Sequence, residues 1–549
     1  MANKKYIFIS GGVISGIGKG TTTASIGLLL KSAGYNVIPI KFENYLNLDA
    51  GTINPVEHGD VFLCNDGTEA DMDIGTYEKF LDQDMGRENF VTMGQIYKTV
   101  IDKERRFEYE GEDVEAIPHV TDEIIRRILA VGERNNVDIV LIELGGTAGE
   151  YQNIFYYEAS RLLTLKHLND VIHIHVSYVP TPKHLGEPKT KPTQLSVKML
   201  NSMGIQPDFI IVRAERLLDQ PRINRFAVFC NVLPENIIIN PDVFHPYELP
   251  LILNKQNLTE KILKRLNLPI KKPNLYRWQK LAEKIRQKKE KKVTIAIVGK
   301  YFGTGDYQLR DSYAALFDAI DHASWANEID ATTTWIDAEK VEKEGEKIIG
   351  NPDGIIVPIG WGKRGAEGMI RAASYARKNK IPYLGLCYGM QLAVVAFARD
   401  ILGWKDANTT ENDPTTPHDV IHLIPKQEEL MKRRVYGGTM RLGAWEAKIK
   451  KNTLAYNIYK REIVSERHRH RYEFNNKFAK EIESAGLVIS GRSVIENLVE
   501  MIELPKNLHP FYFGTQGHPE YKSRPFKPHP VFVNFIVSCF ENKKKKVIK

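Results

Sequence analysis

A cysteine between two glycines is the side chain of this sequence best placed for nucleophilic chemistry. Cys387 follows the apolar run 381–386, Gly385 and Gly389 flank it, and a helix-like stretch comes after it. This order predicts a nucleophile elbow, a turn so sharp that the side chain projects into a cleft beside a helix N-terminus. Because N–H groups at such a terminus favour thiolate over thiol, we expect the reactive form of cysteine here.

A histidine and a glutamate far downstream could assist this cysteine. Pro519 favours extended backbone at His518, and residues two apart in an extended segment share a face. Glu520 is therefore expected to support the His518 imidazole. Taken alone, a cysteine is most often a small buried apolar residue, and His-Pro-Glu is most often a turn. The elbow together with the His–Glu pair favours a cysteine nucleophile.

A glycine-rich loop near the N-terminus has the composition of a phosphate-binding loop. Residues 10–21 read SGGVISGIGKGT, between a predicted strand and a predicted helix. Backbone N–H groups of such a loop can close on phosphate oxygens, and Lys19 adds a positive charge. The loop is not a strict Walker A motif, because Val13 occupies the first glycine position and Gly20 separates Lys19 from Thr21. The alternative is an ordinary glycine-rich turn, but the strand, the helix and the Gly-Lys pair favour phosphate binding.

Charged side chains stand at the ends of the following predicted elements. Glu143 ends an apolar strand, where a Mg²⁺-associated acid is expected, and Asp73 could share that Mg²⁺. Lys41 ends the second predicted strand, at the edge where open α/β sheets bind ligands. Lys189 and Lys191 on an extended segment suit a triphosphate. The alternative for each of these groups is a solvated charge.

Two α/β patterns must position these residues. Strand-like and helix-like stretches alternate over residues 1–270, which predicts a mainly parallel sheet, and a second α/β pattern covers 293–541. Between them, a proline-rich and then amphipathic basic stretch predicts a helical linker at 271–292, and a basic tail follows at 542–549. In the first pattern the predicted strands are 5–10, 36–42, 137–143, 171–176 and 209–213.

The net charge of +8 on 549 residues does not indicate a nucleic-acid partner. Segments 284–292 and 543–549 together hold eleven Lys or Arg residues against one acid, which accounts for the whole excess. The basicity therefore belongs to a linker and a tail, and nucleic-acid binding is disfavoured. No apolar run has membrane-spanning length, and the start does not resemble a signal peptide. Four scattered cysteines suit a reducing cytoplasm.

The order of these motifs resembles the CTP synthase family, the glutamine-dependent amidoligases that convert UTP to CTP. The resemblance implies an N-terminal P-loop, dethiobiotin-synthetase-like parallel-sheet domain (the synthetase domain) and a C-terminal class I glutamine amidotransferase domain of flavodoxin-like fold. Besides the loop, cysteine and histidine motifs, it rests on Glu57-His58-Gly59, Ile117-Pro118-His119, Glu143 to Thr147, Lys189 to Gln194, Gly438 to Gly443 and Glu466 to Glu473.

In the second domain the resemblance implies a glutaminase centre. Cys387 would attack the side-chain amide of glutamine, His518 would shuttle the proton and Glu520 would orient His518. Ammonia would then pass internally to the other centre. The residues expected to bind glutamine are Gly360, Tyr388, Gln391, Glu411 and Arg471.

In the first domain it implies ATP-dependent activation of UTP. ATP with Mg²⁺ would phosphorylate the uracil 4-oxygen, and ammonia would displace the phosphate. Lys19 and Lys41 would stabilise developing charge, and Asp73 and Glu143 would hold Mg²⁺. ATP is expected to contact Ser15, Gly16, Ile17, Gly18, Lys19, Gly20, Thr21 and Asp73, and UTP or CTP to contact Ser15, Glu150, Gln152, Lys189, Lys191, Gln194 and Arg225.

The family resemblance also implies partners and departures. GTP is the expected activator, CTP the expected feedback inhibitor, and the expected assembly is a homotetramer. Ile359 replaces a family glycine in the oxyanion loop, and a β-branched residue would be strained there if the loop requires positive φ. Glu150 and Gln152 stand where Asp and Glu are usual, and Arg225 replaces a usual lysine.

These departures leave other functions open. The same amidoligase chemistry on a different pyrimidine nucleotide would follow from changed contacts at Glu150 and Gln152. A P-loop switch protein would explain the first loop but not Cys387 or the second domain. A filament-forming or scaffold homologue with a weakened glutaminase would follow from a damaged loop at Ile359.

Overall fold

The computed structural model describes residues 4–304 and 307–548, which divide into two compact units. The first unit comprises the chain up to Leu48 together with Asp73–Gln287. The second comprises Asp49–Met72 and the chain from Lys288 onward. Nothing in the sequence patterns indicated that Asp49–Met72 groups with the second half, and the domain limits at 270 and 293 remain predictions.

In the chain up to Arg286, strands and helices alternate as the sequence predicted. The strands are β1 (Lys5–Gly11), β2 (Val37–Glu43), β3 (Val61–Leu63), β4 (Glu69–Asp71), β5 (Phe90–Thr92), β6 (Ile139–Leu144), β7 (Val171–Tyr178), β8 (Phe209–Ala214) and β9 (Ile237–Pro241). The helices are α1 (Lys19–Ser32), α2 (Pro55–His58), α3 (Met72–Leu81), α4 (Met93–Arg105), α5 (Thr121–Arg134), α6 (Ile154–Lys166), α7 (Lys191–Ser202), α8 (Gln220–Cys230), α9 (Leu249–Lys255), α10 (Leu258–Arg265) and α11 (Tyr276–Arg286).

The first unit is built on a parallel sheet. Its order is β5-β2-β6-β1-β7-β8-β9, and every neighbouring pair is parallel. Parallel sheets are covered on both faces, so their strands are apolar throughout, and β1 is buried along its whole length. The carboxyl ends of β1, β2 and β6 meet at one edge, which is where such sheets bind ligands. The predicted parallel-sheet domain is confirmed.

The second unit continues with its own strands and helices. Its further strands are β10 (Lys291–Gly299), β11 (Gly303–Thr304), β12 (Tyr307–Gln308), β13 (Ile329–Asp337), β14 (Gly354–Val357), β15 (Tyr383–Leu386), β16 (Ile421–Leu423), β17 (Arg441–Ile449), β18 (Ile463–His470), β19 (Tyr472–Phe474), β20 (Val488–Ser493), β21 (Val499–Glu503) and β22 (Tyr512–Thr515). Its further helices are α12 (Ala314–Asn327), α13 (Ala338–Glu344), α14 (Ala366–Lys378), α15 (Tyr388–Ile401), α16 (Glu428–Lys432), α17 (Leu454–Tyr459), α18 (Ala479–Ser484) and α19 (Pro530–Ile548).

The main sheet of the second unit is half parallel and half antiparallel. Its order is β13-β10-β14-β15-β22-β21-β20-β17-β18. The pairs from β13 to β22 are parallel, and those from β22 to β18 are antiparallel. Strands β15 and β22 lie side by side near the middle. Residues that follow their carboxyl ends, among them Cys387 and His518, are therefore brought to one edge of the sheet.

The linker and the tail are both helical. Part of the predicted connector forms α11, and its Trp278 packs against Phe80 and Tyr247 with ring centroids 5.3 and 5.4 Å apart. At the other end, α19 continues through Ile548, and Lys543 Nζ lies 3.0 Å from Asp353 Oδ2. The last residue of the predicted tail, 549, lies outside the described residues. Within the described ranges, no helix is long and apolar enough to cross a membrane.

The packing of α11 leads to a stability prediction. Replacing Trp278 by Ala removes a buried ring and should lower the free energy of unfolding of the first unit by about 3–5 kcal/mol. Thermal and urea unfolding monitored by circular dichroism measure the change. Tyr276→Ala, at an exposed position on the same helix, is the control and should change the stability by less than about 0.5 kcal/mol. Equal stability of both variants would contradict a core role for α11.

Candidate active sites

Cys387 forms the predicted elbow between β15 and α15. Its backbone has φ 50° and ψ −101°, a conformation rare for a non-glycine residue, and its N–H donates to the carbonyl of Thr515 at 2.8 Å. The two flanking glycines are required by close approach. A Cβ on Gly389 would lie 1.9 Å from the Val357 carbonyl oxygen, and a Cβ on Gly385 would lie 2.7 Å from the backbone of Gly389. The cysteine is therefore held at the start of a helix by backbone packing on both sides.

His518 and Glu520 form a buried pair beside this cysteine. His518 Nδ1 lies 2.7 Å from Glu520 Oε1, and both side chains are buried. Burial alone would lower the pKa of His518, but the Glu520 carboxylate and the Cys387 thiol raise it to about 10. The expectation of an extended segment is wrong, because Pro519–Lys522 is a 3-10 turn. The turn, rather than alternation along a strand, brings the carboxylate to the imidazole.

The loop after β14 is held by hydrogen bonds to its backbone. Lys300 Nζ donates to the carbonyls of Trp361 and Gly362 at 2.5 and 2.6 Å. Tyr388 Oη donates to the Gly362 carbonyl at 3.0 Å, and the Gly362 N–H donates to Glu411 Oε1 at 2.7 Å. Burial lowers the pKa of Lys300 to about 8, although Glu411 opposes the shift. Three side chains thus fix the conformation of the predicted oxyanion loop.

Ile359 is not strained. Its backbone lies outside the left-handed region, whereas Gly362 in the same loop has φ 69°. Its side chain is buried in the cluster of apolar residues that contains Cys387. The condition for strain, a positive φ at Ile359, is therefore not met. Gly360 is the residue that must remain small, because a Cβ there would lie 2.6 Å from Lys300 Cδ.

The other two predicted glutamine-binding residues, Gln391 and Arg471, make their hydrogen bonds outside this loop. Arg471 Nη1 donates to Gln427 Oε1 at 2.6 Å, beyond the end of β18. Gln391 is buried on the first turn of α15, and its amide nitrogen donates to the Tyr472 carbonyl at 2.8 Å and to Gln516 Oε1 at 3.2 Å. The structure thus places Gly360, Tyr388 and Glu411 at the loop, and Gln391 beside Gln516.

In the first unit, a buried ammonium gathers acidic side chains at the edge of the sheet. Lys41 Nζ lies 2.5 Å from Asp73 Oδ2, 2.7 Å from Glu143 Oε1 and 3.3 Å from Glu43 Oε1. Burial alone would raise the pKa of Glu143, but Lys41 and then Lys19 lower it. Both predicted metal-binding acids are thus in contact with one lysine. Among the described residues, no group of three or more His, Cys, Asp or Glu side chains suits a metal.

The glycine-rich loop has an unusual local structure at both positions where its sequence departs from a Walker A motif. Val13 has φ 79°, a strained conformation for a β-branched residue. A Cβ on Gly20 would lie 1.7 Å from Asp73 Oδ1, so Gly20 must remain glycine for this acid to approach the loop. Lys19 begins α1, and its Nζ donates to the Gly146 carbonyl at 2.7 Å. Of the remaining predicted ATP contacts, Ser15, Gly16, Ile17 and Gly18 lie between β1 and α1, and Thr21 lies in the first turn of α1.

A cavity of about 430 Å³ gathers the predicted nucleotide-binding cations. Lys189, Lys191, Gln194 and Arg225 all line it. Three residues predicted to bind the nucleotide do not line this cavity. Ser15 belongs to the glycine-rich loop. Glu150 accepts from Thr147 N at 2.8 Å, and Gln152 lies 3.4 Å from Asn44 Nδ2. The sequence missed Glu187, which lies 2.9 Å from Lys189 Nζ, and Arg222, which lies 2.9 Å from Glu187.

Arginine and histidine alternate along β18 because the two residue types lie on opposite faces of the strand. Arg467 donates to Asn65 Oδ1 at 2.8 Å, and Arg469 donates to Glu69 Oε1 at 2.6 Å, both in the segment Asp49–Met72. On the other face, His468 Nε2 lies 2.7 Å from Glu500 Oε2. Period-two alternation is the signal that separates these faces. The side chains hold the segment on one face and a buried polar network on the other.

Together these features define a class of protein. One unit has a cysteine at an elbow with a His–Glu pair, and the other has a glycine-rich loop with acids and lysines at the edge of a parallel sheet. Such a chain is suited to releasing a group at the cysteine and to phosphoryl transfer at the loop.

The comparisons with known proteins identify the family. Residues 5–268 match the family model described as CTP synthase N-terminus, and residues 308–538 match glutamine amidotransferase class-I. The CTP synthase of Caldanaerobacter subterraneus subsp. tengcongensis is 48% identical over 97% of each chain, and that of Pyrococcus furiosus is 48% identical over 99% of each. The solved glutaminase domain of Trypanosoma brucei CTPS with bound acivicin is 35% identical, covers 45% of this chain and 94% of that chain, and has a TM-score of 0.41. The chain belongs to the CTP synthase family, as its motifs predicted.

The contacts of Lys300 generate a pH prediction. Lys300→Met removes the ammonium from the loop and should lower kcat/KM for ammonia release from glutamine about 10- to 100-fold, because hydrogen bonds to charged groups contribute about 1.5–3 kcal/mol. In the parent protein the same activity should fall as the pH rises through about 8, where Lys300 loses its proton. The variant should lack that step in its pH–rate profile.

Two controls separate this effect from unfolding. Lys363→Met changes a nearby exposed lysine and should leave the profile unchanged. The pKa of Lys300 is lower in the folded chain than in the unfolded chain. Its positive charge therefore reduces the free energy of unfolding below about pH 8, and this reduction disappears as the pH rises towards 10.5. Lys300→Met removes this charge, so we do not expect the variant to lose ammonia release at pH 7 through unfolding. An unchanged pH step in Lys300→Met would contradict the assignment.

Proposed function

We propose that this chain makes CTP from UTP, using ATP and ammonia released from glutamine. Membership of the CTP synthase family makes it a glutamine-hydrolysing ligase of pyrimidine biosynthesis. The observation that carries the proposal is the presence, in one chain, of the buried Cys387–His518–Glu520 group and of the Lys41–Asp73–Glu143 cluster.

At the glutaminase centre, Cys387 attacks the side-chain carbonyl carbon of glutamine. Because its pKa is raised to about 10, His518 already holds the thiol proton at Nε2, while Nδ1 is engaged by Glu520, and Cys387 attacks as the thiolate. The carbon–nitrogen bond breaks and ammonia leaves with that proton. Water then hydrolyses the thioester to glutamate. The N–H of Tyr388 at the start of α15 and the backbone around Gly360 are placed to donate to the oxyanion.

At the synthetase centre, the chain's own groups position phosphates. The glycine-rich loop and Lys19 bind the phosphates of ATP, and Lys41 stabilises charge that develops as the uracil 4-oxygen takes the γ-phosphoryl group. Ammonia then attacks carbon 4 and phosphate leaves. Asp73 and Glu143 would hold Mg²⁺, whose charge neutralises phosphate oxygens. Mg²⁺ commonly takes one or two carboxylates with substrate phosphates, so two acids suffice.

The cavity lined by Lys189, Lys191, Gln194 and Arg225 is the proposed site for UTP, and for CTP as a feedback inhibitor. Glu150 and Gln152 bond within the first unit and do not line it. The altered pair therefore does not favour a different pyrimidine acceptor. The unstrained backbone of Ile359 likewise gives no support to a weakened homologue, and a switch protein would leave the second unit unexplained.

Assembly, regulation and location are proposed from the family and from the surface. We propose a cytoplasmic homotetramer activated by GTP, with no nucleic-acid or membrane partner. Large apolar side chains of the first unit are exposed on α7, on α8 and in the turn before α6, and a second copy of the chain would cover them. They are Tyr151, Leu195, Met199, Val228 and Phe229.

Cysteine replacement tests the two-centre scheme. Cys387→Ala removes the nucleophile and should abolish CTP formation from glutamine, whereas ammonium chloride should still support it because the synthetase centre is untouched. Nucleotide products separated by chromatography measure both reactions. Cys230→Ala, at a buried cysteine of the first unit, should retain both. Loss of the ammonium reaction in Cys387→Ala, with the fold intact, would argue against the scheme.

Replacing a cavity arginine tests the nucleotide site. Arg225→Gln removes one cation from a triphosphate and should raise the KM for UTP about 10- to 100-fold, since charged hydrogen bonds contribute about 1.5–3 kcal/mol. Ammonia release from glutamine should be unchanged when it is assayed without UTP. Lys198→Gln removes the same charge from an exposed position on α7 outside the cavity lining and is the control. Equal KM values for the two variants would place UTP elsewhere.

A further inference from the structure

Gln516 is a buried amide beside the reactive sulfur to which the glutaminase scheme assigns no role. It follows β22, whose last residue, Thr515, pairs with Leu386 immediately before the elbow. Its side chain is 1% exposed, and its Nε2 lies 3.5 Å from Cys387 Sγ. The backbone N–H of Gln516 donates to the Glu500 carbonyl at 2.8 Å, so the residue is fixed by its main chain as well.

The orientation of this amide follows from its other partners. A backbone carbonyl can only accept, so the contact of Gln391 with the Tyr472 carbonyl at 2.8 Å identifies the Gln391 atom as nitrogen. That nitrogen also lies 3.2 Å from the Gln516 amide, and the Gln516 atom facing it must therefore be oxygen. The NH₂ group of Gln516 then faces the sulfur.

The surroundings of the sulfur show why such a donor matters. The thiol donates to the Arg469 carbonyl at 3.8 Å. A carbonyl accepts from a thiol but repels a thiolate, so this contact favours the unreactive form. The Gln516 amide faces the same sulfur from the β22 side and favours negative charge on it. Unlike His518, the amide is neutral and does not titrate.

We propose that Gln516 is a further catalytic residue of the glutaminase reaction, whose amide N–H donates to Cys387 Sγ and favours the thiolate. The inference rests on the proposed function, because it concerns the same reaction. When the sulfur–carbon bond forms, the proton is already on His518, and Gln516 keeps both amide hydrogens. When water cleaves the thioester, the sulfur again becomes negative, and the amide stabilises it as the leaving group.

The contact between Gln391 and Gln516 supports the same role. Gln391 lies one turn after Cys387 on α15. Because its amide nitrogen donates to the Tyr472 carbonyl, the same nitrogen faces the Gln516 oxygen and fixes the orientation of the Gln516 amide. Gln391 is then a positioning residue that acts through Gln516. Gln391→Leu should show a smaller change of the same kind as substitution of Gln516.

The test measures the reactivity of the sulfur directly. Gln516→Glu replaces the NH₂ group by oxygen at nearly constant shape, and Gln516→Leu removes the donor without adding charge. Alkylation of Cys387 by iodoacetamide, followed across pH by mass spectrometry, reports the thiolate without requiring turnover. We expect the midpoint of the alkylation profile to move up by about one pH unit or more in Gln516→Glu and by less in Gln516→Leu. Glutamine kcat/KM should fall about 10- to 100-fold.

The controls make the outcome decisive. CTP formation from ammonium chloride should be unchanged in both variants, which shows that the chain is folded. Thr515→Val, at the neighbouring buried residue, should leave the alkylation profile as in the parent. An unmoved midpoint in both Gln516 variants, with the ammonium reaction intact, would overturn the proposal. Failure of the proposed function would look different: the parent would be alkylated at Cys387 but would release no ammonia from glutamine.

Discussion

The turn between β15 and α15 is the constraint on which the chemistry of the second unit depends. Gly389 packs its Cα directly against the Val357 carbonyl, and Gly385 packs against Gly389, so neither position has room for a side chain. Between these two glycines, Cys387 has a positive φ of 50°. Such a backbone conformation costs about 1–3 kcal/mol at a non-glycine residue. The packing of the surrounding sheet compensates this cost, since neighbouring strands fix the turn on both sides. The sulfur is thereby aimed at residues after β22, where Gln516 and His518 lie.

In the first unit, the corresponding constraint is an excess of negative charge at the edge of the sheet. Three carboxylates surround Lys41, and Lys19 is close enough for its pKa to be lowered by Lys41, after the larger effect of burial. Two ammonium groups thus face three acids at the edge of the sheet. Buried acids are stabilised only when their charge is compensated. A divalent cation that arrives with phosphates fits this excess, and Gly20 leaves the space in which Asp73 meets the loop.

The sequence predicted the fold and much of each site because those features depend on local patterns. Apolar runs gave the parallel strands, and a cysteine between glycines gave the elbow. Other features depend on packing across the chain. The positive φ in the loop after β14 belongs to Gly362 and not to Ile359. The Glu150 carboxylate accepts from Thr147, and its contact with the nucleotide stays a prediction. Hydrogen bonds between distant residues such as Gln391 and Gln516 have no signature in a single sequence.

The segment Asp49–Met72 shows how one strand can serve two purposes. The Arg469 guanidinium binds Glu69, while the carbonyl of the same residue accepts from Cys387 Sγ. Burial raises the pKa of Glu69, and Arg469 opposes that shift, so the pair is a buried contact whose loss would leave an arginine uncompensated. Arg469 is therefore the residue through which β18 contacts both the sulfur of Cys387 and the segment Asp49–Met72 within the second unit.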